Sequence, residues 1–127
     1  MSEILPRIRQ LQTLALETVR AHGGQGQISM KRIFEPDDFE GPWNFVDYAV
    51  LPAGTSIGPH RHGDDEELYL ILEGRGQMQL DDEVFEVGPG HVIVNRRNGV
   101  HGLQNTGTEP LRILVVEVAI PSKEDQA

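Results

Sequence analysis

From residue 28 to residue 118 the chain is cut every few residues by a turn signal, and this punctuation limits the fold more than any other feature. The signals are Pro52-Ala53-Gly54, Gly63-Asp64-Asp65, Gly74-Arg75-Gly76, Asp81-Asp82, Gly88-Pro89-Gly90, Asn98-Gly99 and Thr106-Gly107. Glycine and asparagine tolerate positive φ, and proline presets a bend. The short segments between them predict strands at 28–34, 45–51, 56–62, 67–73, 77–80, 83–87, 91–95, 100–105 and 111–118. Many short strands at close spacing predict an all-β sandwich or barrel.

The N-terminal part reads differently. Ile4, Ile8, Leu11, Ala15 and Val19 recur at steps of three and four, which predicts a helix over 4–22. Pro6 suits a first turn, and Gly23-Gly24 supplies a stop. Such a helix would pack on the barrel or on a second subunit. The expected organisation is a helix and linker at 1–27, a single barrel at 28–120, and a polar tail at 121–127.

Composition narrows the function classes. The 127 residues suit one domain with a core of its own. There is no cysteine, so disulfides, thiolate metal sites and a cysteine nucleophile are excluded. Twenty acidic residues against 11 basic ones give a net charge of -9, the wrong sign for a nucleic-acid footprint or an anionic membrane surface. The longest clean apolar run, 113–116, is far short of the ~20 residues of a membrane helix. Pro6, Arg7, Arg9 and Gln10 interrupt any signal-peptide core, so a cytoplasmic protein is expected.

Chemistry concentrates between Gly54 and Gly74. His60 and His62 share strand parity and point to one face. Beyond the turn at Gly63, a strand sets Glu67, Tyr69 and Ile71 on one face and Leu68, Leu70 and Leu72 on the other. If it folds back beside the first strand, two imidazoles and a carboxylate converge, a set that divalent first-row metals favour. The alternative is a polar turn between two strands.

These residues, with a second stretch from Gly90 to Asn105, resemble the two motifs of the cupin superfamily. The first motif, G-x5-H-x-H-x4-E-x6-G, is met at every position by Gly54, His60, His62, Glu67 and Gly74. The second, G-x5-P-x-G-x2-H-x3-N, is met by Gly90, His101 and Asn105, with Arg96 in place of proline and Asn98 in place of glycine. The resemblance spans roughly residues 29 to 119. It implies a double-stranded β-helix, the jelly-roll barrel, here with an N-terminal helix added. It also implies a homodimer and a metal held by His60, His62, Glu67 and His101. Asp65 and Glu66 are the runners-up to Glu67.

With no sulfur ligand to select a soft ion, manganese, iron, nickel, cobalt or zinc all fit. Four protein ligands on an octahedral ion leave two positions open, which suits a small oxygen-rich acid or a sugar-like molecule. Tyr69 shares the Glu67 face and is the candidate proton donor. Arg96 and Arg97, in the loop before His101, are candidate clamps for a substrate carboxylate or phosphate. Two functions follow. One is a metal-dependent enzyme of decarboxylase, lyase, isomerase or dioxygenase type; the other is a non-catalytic cupin that binds a small carboxylate or sugar.

Overall fold

The computed structural model describes residues 3–121. The polar tail expected at 121–127 lies outside them apart from Pro121. Among the described residues there are ten strands: β1 (Glu17–Val19), β2 (Ile28–Phe34), β3 (Trp43–Leu51), β4 (Ser56–Arg61), β5 (Asp65–Glu73), β6 (Gly76–Leu80), β7 (Glu83–Val87), β8 (Val92–Asn95), β9 (Val100–Gln104) and β10 (Leu111–Ala119). They form two antiparallel sheets. One has six strands in the order β1-β2-β3-β10-β5-β8, and the other has four, β4-β9-β6-β7. Every predicted strand is present, with its bounds displaced by no more than two residues.

The expected N-terminal helix is not formed. Among the described residues there is no α-helix, only short 3-10 turns such as Leu5–Arg7 and Leu11–Thr13. The physical reason is the open edge of β2. A lone helix of this length is marginal in water without a face to bury. An unpaired strand edge instead offers a row of donors and acceptors. Glu17, Thr18 and Val19 take that edge, pairing with Met30, Ser29 and Ile28. The stripe residues Ile4 and Ile8 stay exposed, at 54% and 55%.

The chain after β1 then crosses to the other sheet. Gly58 N–H donates to Ala21 O, Ser56 N–H to Gln25 O, and Gln25 N–H to Ser56 Oγ. Residues 17–25 therefore close one side of the barrel, bonded to the edge strand of each sheet. Two glycines permit this approach. A Cβ on Gly58 would lie 2.1 Å from His22 O, and one on Gly24 would lie 2.1 Å from Ser56 O.

Between the sheets sits a core of Leu51, Met78, Leu111, Ile113 and neighbouring apolar side chains. Register arranges the inner face of the six-stranded sheet in rows. One row runs Met30, Ala49, Ile113, Ile71 and is wholly apolar. The next runs Arg32, Asp47, Val115, Tyr69, Ile93, and the one after it Phe45, Glu117, Glu67, Asn95. The barrel interior thus changes from apolar to polar toward one end. No helix among the described residues is long and apolar enough to cross a membrane.

Candidate metal centre

The polar end of the barrel is where the two sheets bring their histidines and carboxylates together. His60 on β4 is the direct cross-strand partner of His101 on β9, so their rings share the inner face. His62 follows β4 and is fixed by its N–H, which donates to Gly99 O at 3.0 Å. The turn at Gly63 and Asp64 passes the chain to the other sheet, where Glu67 projects inward from β5. One donor atom from each of His60, His62, Glu67 and His101 lies within 4.8 Å of the other three.

The histidine nitrogens are closer still. The three Nε2 atoms form a triangle with sides of 3.0, 3.1 and 3.1 Å. Glu67 Oε1 stands 3.1 Å from His101 Nε2 and 3.5 Å from His62 Nε2. Two donors held at right angles about one ion at about 2.1 Å are about 3.0 Å apart, and two donors of a tetrahedron about 3.4 Å. The three nitrogens are thus close enough together that they could share one ion.

Tautomers reinforce this reading. His60 Nδ1 lies 2.8 Å from Gly58 O, and His62 Nδ1 lies 2.8 Å from Asp65 Oδ1. Each acceptor holds the ring proton on Nδ1, which leaves a bare lone pair on Nε2. Two lone pairs aimed at each other repel unless a proton or a cation sits between them. The donor set therefore fits a divalent transition metal, with His60, His62, Glu67 and His101 as the residues that would hold it. His101 Nδ1 is buried without a hydrogen-bond partner, so its tautomer is set only at Nε2.

Burial sets the charge state of the metal-free cluster. Desolvation pulls His60 and His101 down to about 4, and the mutual proximity of the histidines pulls the same way. Desolvation pushes Glu67 up to about 7 against the opposing influence of His62. Its cross-strand neighbour Glu117 is also pushed up to about 7 by burial, although Asn44 Nδ2 donates to its Oε2 at 2.9 Å. The metal-free cluster thus tends toward neutrality; a cation would draw Glu67 back toward its ionised form and would further favour the neutral histidines.

A cavity of about 460 Å³ opens from the cluster into the barrel. His62, Glu67, Tyr69 and Glu117 line its polar end, and Val19, Ala21, Met30, Phe45 and Ala49 belong to its apolar walls. Tyr69 is buried, with its ring centre 4.8 Å from that of His101. Desolvation raises its hydroxyl well above the usual range, so it keeps its proton and can donate it in a hydrogen bond. Asp47 is buried and doubly bonded to Arg32, at 3.0 and 3.2 Å. Burial outweighs Arg32 and raises its carboxyl.

Other residues singled out in the sequence lie elsewhere. Arg96 and Arg97 are exposed and do not line this cavity; Arg97 Nε is 3.5 Å from Asp64. Glu66 points outward, while Asp65 orients His62. Asn105 is buried but donates to Leu51 O and Glu109 O, tying a loop rather than facing the histidines. Three contributors were not foreseen. Asp47 and Glu117 had a signal, because each is an acid in the inward phase of an otherwise apolar strand. His22 had none. It follows β1 and stacks on His60 with ring centres 3.5 Å apart and planes 9° apart.

A two-sheet jelly roll with three inward histidines and a glutamate at one end defines a metal-cupin type of site. The cupin domain family matches residues 47–117, more than half of the chain, and the chain belongs to that family. It is 36% identical over 96 residues to an uncharacterized protein of Methanocaldococcus jannaschii, covering 76% of this chain and 77% of that one. It is 26% identical over 98 residues to an oxalate-binding protein of Thermotoga maritima, covering 77% of this chain and 81% of that protein. A crystal structure from Thermotoga maritima, described as a predicted oxalate decarboxylase, matches with a TM-score of 0.86 at 24% identity. The match covers 89% of this chain and 99% of that one, and the likeness concerns the fold.

Proposed function

We propose that this chain is a metal-dependent cupin enzyme acting on a small oxygen-rich acid. The observation that carries the reading is the convergence of the three Nε2 atoms and the Glu67 carboxyl at the end of a cavity large enough for a ligand. When bound, a divalent transition metal would polarise the oxygens of the acid's head. Asp65 and Gly58 O hold His62 and His60 in the ligating tautomer. Glu117, beside the Glu67 carboxyl, carries a proton near neutral pH and stands at the polar end of the cavity. Tyr69 supplies a hydroxyl that donates but does not act as a base. A positioned proton suits decarboxylation, lyase or isomerase chemistry, in which a carbon or oxygen centre must be protonated. Arg96 and Arg97 lie on the loop that bonds His62 through Gly99, and we assign them the attraction of an anionic ligand at that rim.

The test is elemental analysis of untagged protein beside the His62→Ala variant, followed by product analysis of the metal-loaded protein with 2-oxo and 2-hydroxy acids. Near-stoichiometric metal lost in the variant, with carbon dioxide release or isomerised product, supports the enzyme. Dependence on dioxygen would move the reaction to dioxygenation. The second reading, a non-catalytic acid-binding cupin, is favoured by the relative described as oxalate-binding. Saturable binding without any product would establish it. We also propose a homodimer. The outer face of the six-stranded sheet carries Leu68, Leu70, Leu72, Val92 and Val94 side by side, which a second copy would cover, and sedimentation velocity measures it.

A further inference from the structure

The cavity is poorly matched to an acid as small and polar as oxalate. We infer that its ligand is an amphiphilic monoacid, with an oxygen-bearing head at the histidine cluster and an apolar body the size of a phenyl ring or branched aliphatic chain. This rests on the acid-binding reading above and narrows its substrate class.

Two observations carry it. The first is shape and lining. The cavity of about 460 Å³ falls within the size range of sites for ligands much larger than oxalate. Away from the cluster its apolar lining is Val19, Ala21, Met30, Phe45, Ala49 and Ile57, beside Arg20 and the Arg32–Asp47 pair. Oxalate has no apolar surface to set against them, so those walls would stay in contact with trapped water. The second is charge. Glu67, Glu117 and Asp47 line the same cavity beside Arg20 and Arg32, and Arg32 is paired with Asp47. With Glu67 ionised as a ligand, a divalent ion would leave the centre one positive charge, which a monoanion neutralises and a dianion exceeds. A single carboxylate with a neighbouring keto or hydroxyl oxygen needs the same two positions at the metal and carries half the charge.

The test uses the full chain loaded with manganese or zinc, titrated calorimetrically with oxalate, pyruvate and phenylpyruvate. Each buried methylene-sized group is worth about fourfold in affinity. Phenylpyruvate is therefore expected to bind at least about tenfold more tightly than pyruvate, more tightly than oxalate, and with the most negative heat-capacity change. Ala21→Phe fills the wall and should remove that preference while metal content stays near one equivalent. Met30→Gln should weaken it without filling space, and serves if the bulky variant misfolds. Oxalate or pyruvate binding as tightly as phenylpyruvate to metal-loaded protein would overturn the inference and leave the acid-binding reading intact. A preference for phenylpyruvate that survives both variants would also overturn it, since the body would then lie elsewhere. Failure of all three acids to bind loaded protein would remove the acid-binding reading itself, and this inference with it.

Discussion

The histidine cluster and the segment at 17–25 that walls its cavity meet at the stack of His22 on His60, yet different physics holds them. The cluster is built by register. His60 and His101 face each other because β4 and β9 pair, and Glu67 and Glu117 do so because β5 and β10 pair. The wall is built by tertiary opportunity. It occupies two vacant strand edges and depends on two glycines that let main chains approach. A site made by register should fail one ligand at a time. A wall made by edge contacts should fail as a unit and leave the ligands in place.

The largest expected effect tests the first half of that contrast. His101→Ala should reduce bound metal from about one equivalent to near zero by elemental analysis, since His101 is fully buried and central to the triangle of nitrogens. Far-ultraviolet circular dichroism should be unchanged, because β9 keeps its pairing. Loss of the sheet signal in this variant would mean that the cluster is a folding element rather than a grafted site.

The next test breaks the wall instead. Gly58→Ala places a methyl 2.1 Å from His22 O and 3.0 Å from Gly24 N, both main-chain atoms that cannot move alone. The expected cost is about 1–3 kcal/mol in chemical denaturation, the range for forced overpacking. Limited proteolysis should then cut within the first 25 residues, while metal content stays near one equivalent. Concerted loss of metal would show that wall and cluster form a single unit.

How much was legible in the sequence follows the same division. Strands announced themselves through alternation and through turns that need glycine, asparagine or proline, and the clustering of His60, His62, Glu67 and His101 could be read from their spacing. Both are local properties. The stretch at 4–22 has helical periodicity, but the edge of β2 that takes Glu17–Val19 instead is not visible in its own residues. Asp47 and Glu117 were readable in principle, because strand parity places both inward. His22 was not, because its position depends on the left-handed turn at φ 50° and on the contact between Ala21 and Gly58.

A third prediction concerns protons. In the metal-free cluster Glu67 holds its proton below about pH 7, and metal binding must displace it. Lowering the pH adds competing protons, so metal affinity should fall by about tenfold per unit below pH 7. His60 and His101, neutral down to about 4, add their own competition only below that. Metal affinity followed by competition with a chelator measures the slope. Glu67→Gln should flatten it between about pH 7 and 5, and a slope unchanged in that variant would assign the proton to another group.

The smallest expected effect lies where the two regions meet. His22 stacks on His60, but His60 is already held by Gly58 O and by its place on β4. An aromatic pair is worth about 0.5–1.5 kcal/mol beyond its buried area. If that energy is spent on seating the wall, His22→Ala should lower stability by about this amount and change metal affinity by less than about threefold. If the stack instead aims the His60 ring, metal affinity should fall by about tenfold with little change in stability, as for groups that orient a ligand from behind. His22→Phe separates the two cases, because it keeps the stacked ring and removes the imidazole nitrogens. Full recovery by phenylalanine in both measurements would assign the contact to packing. Recovery of stability without metal affinity would make His22 part of the site, and the boundary between register and edge contacts would then run through β1 rather than beside it.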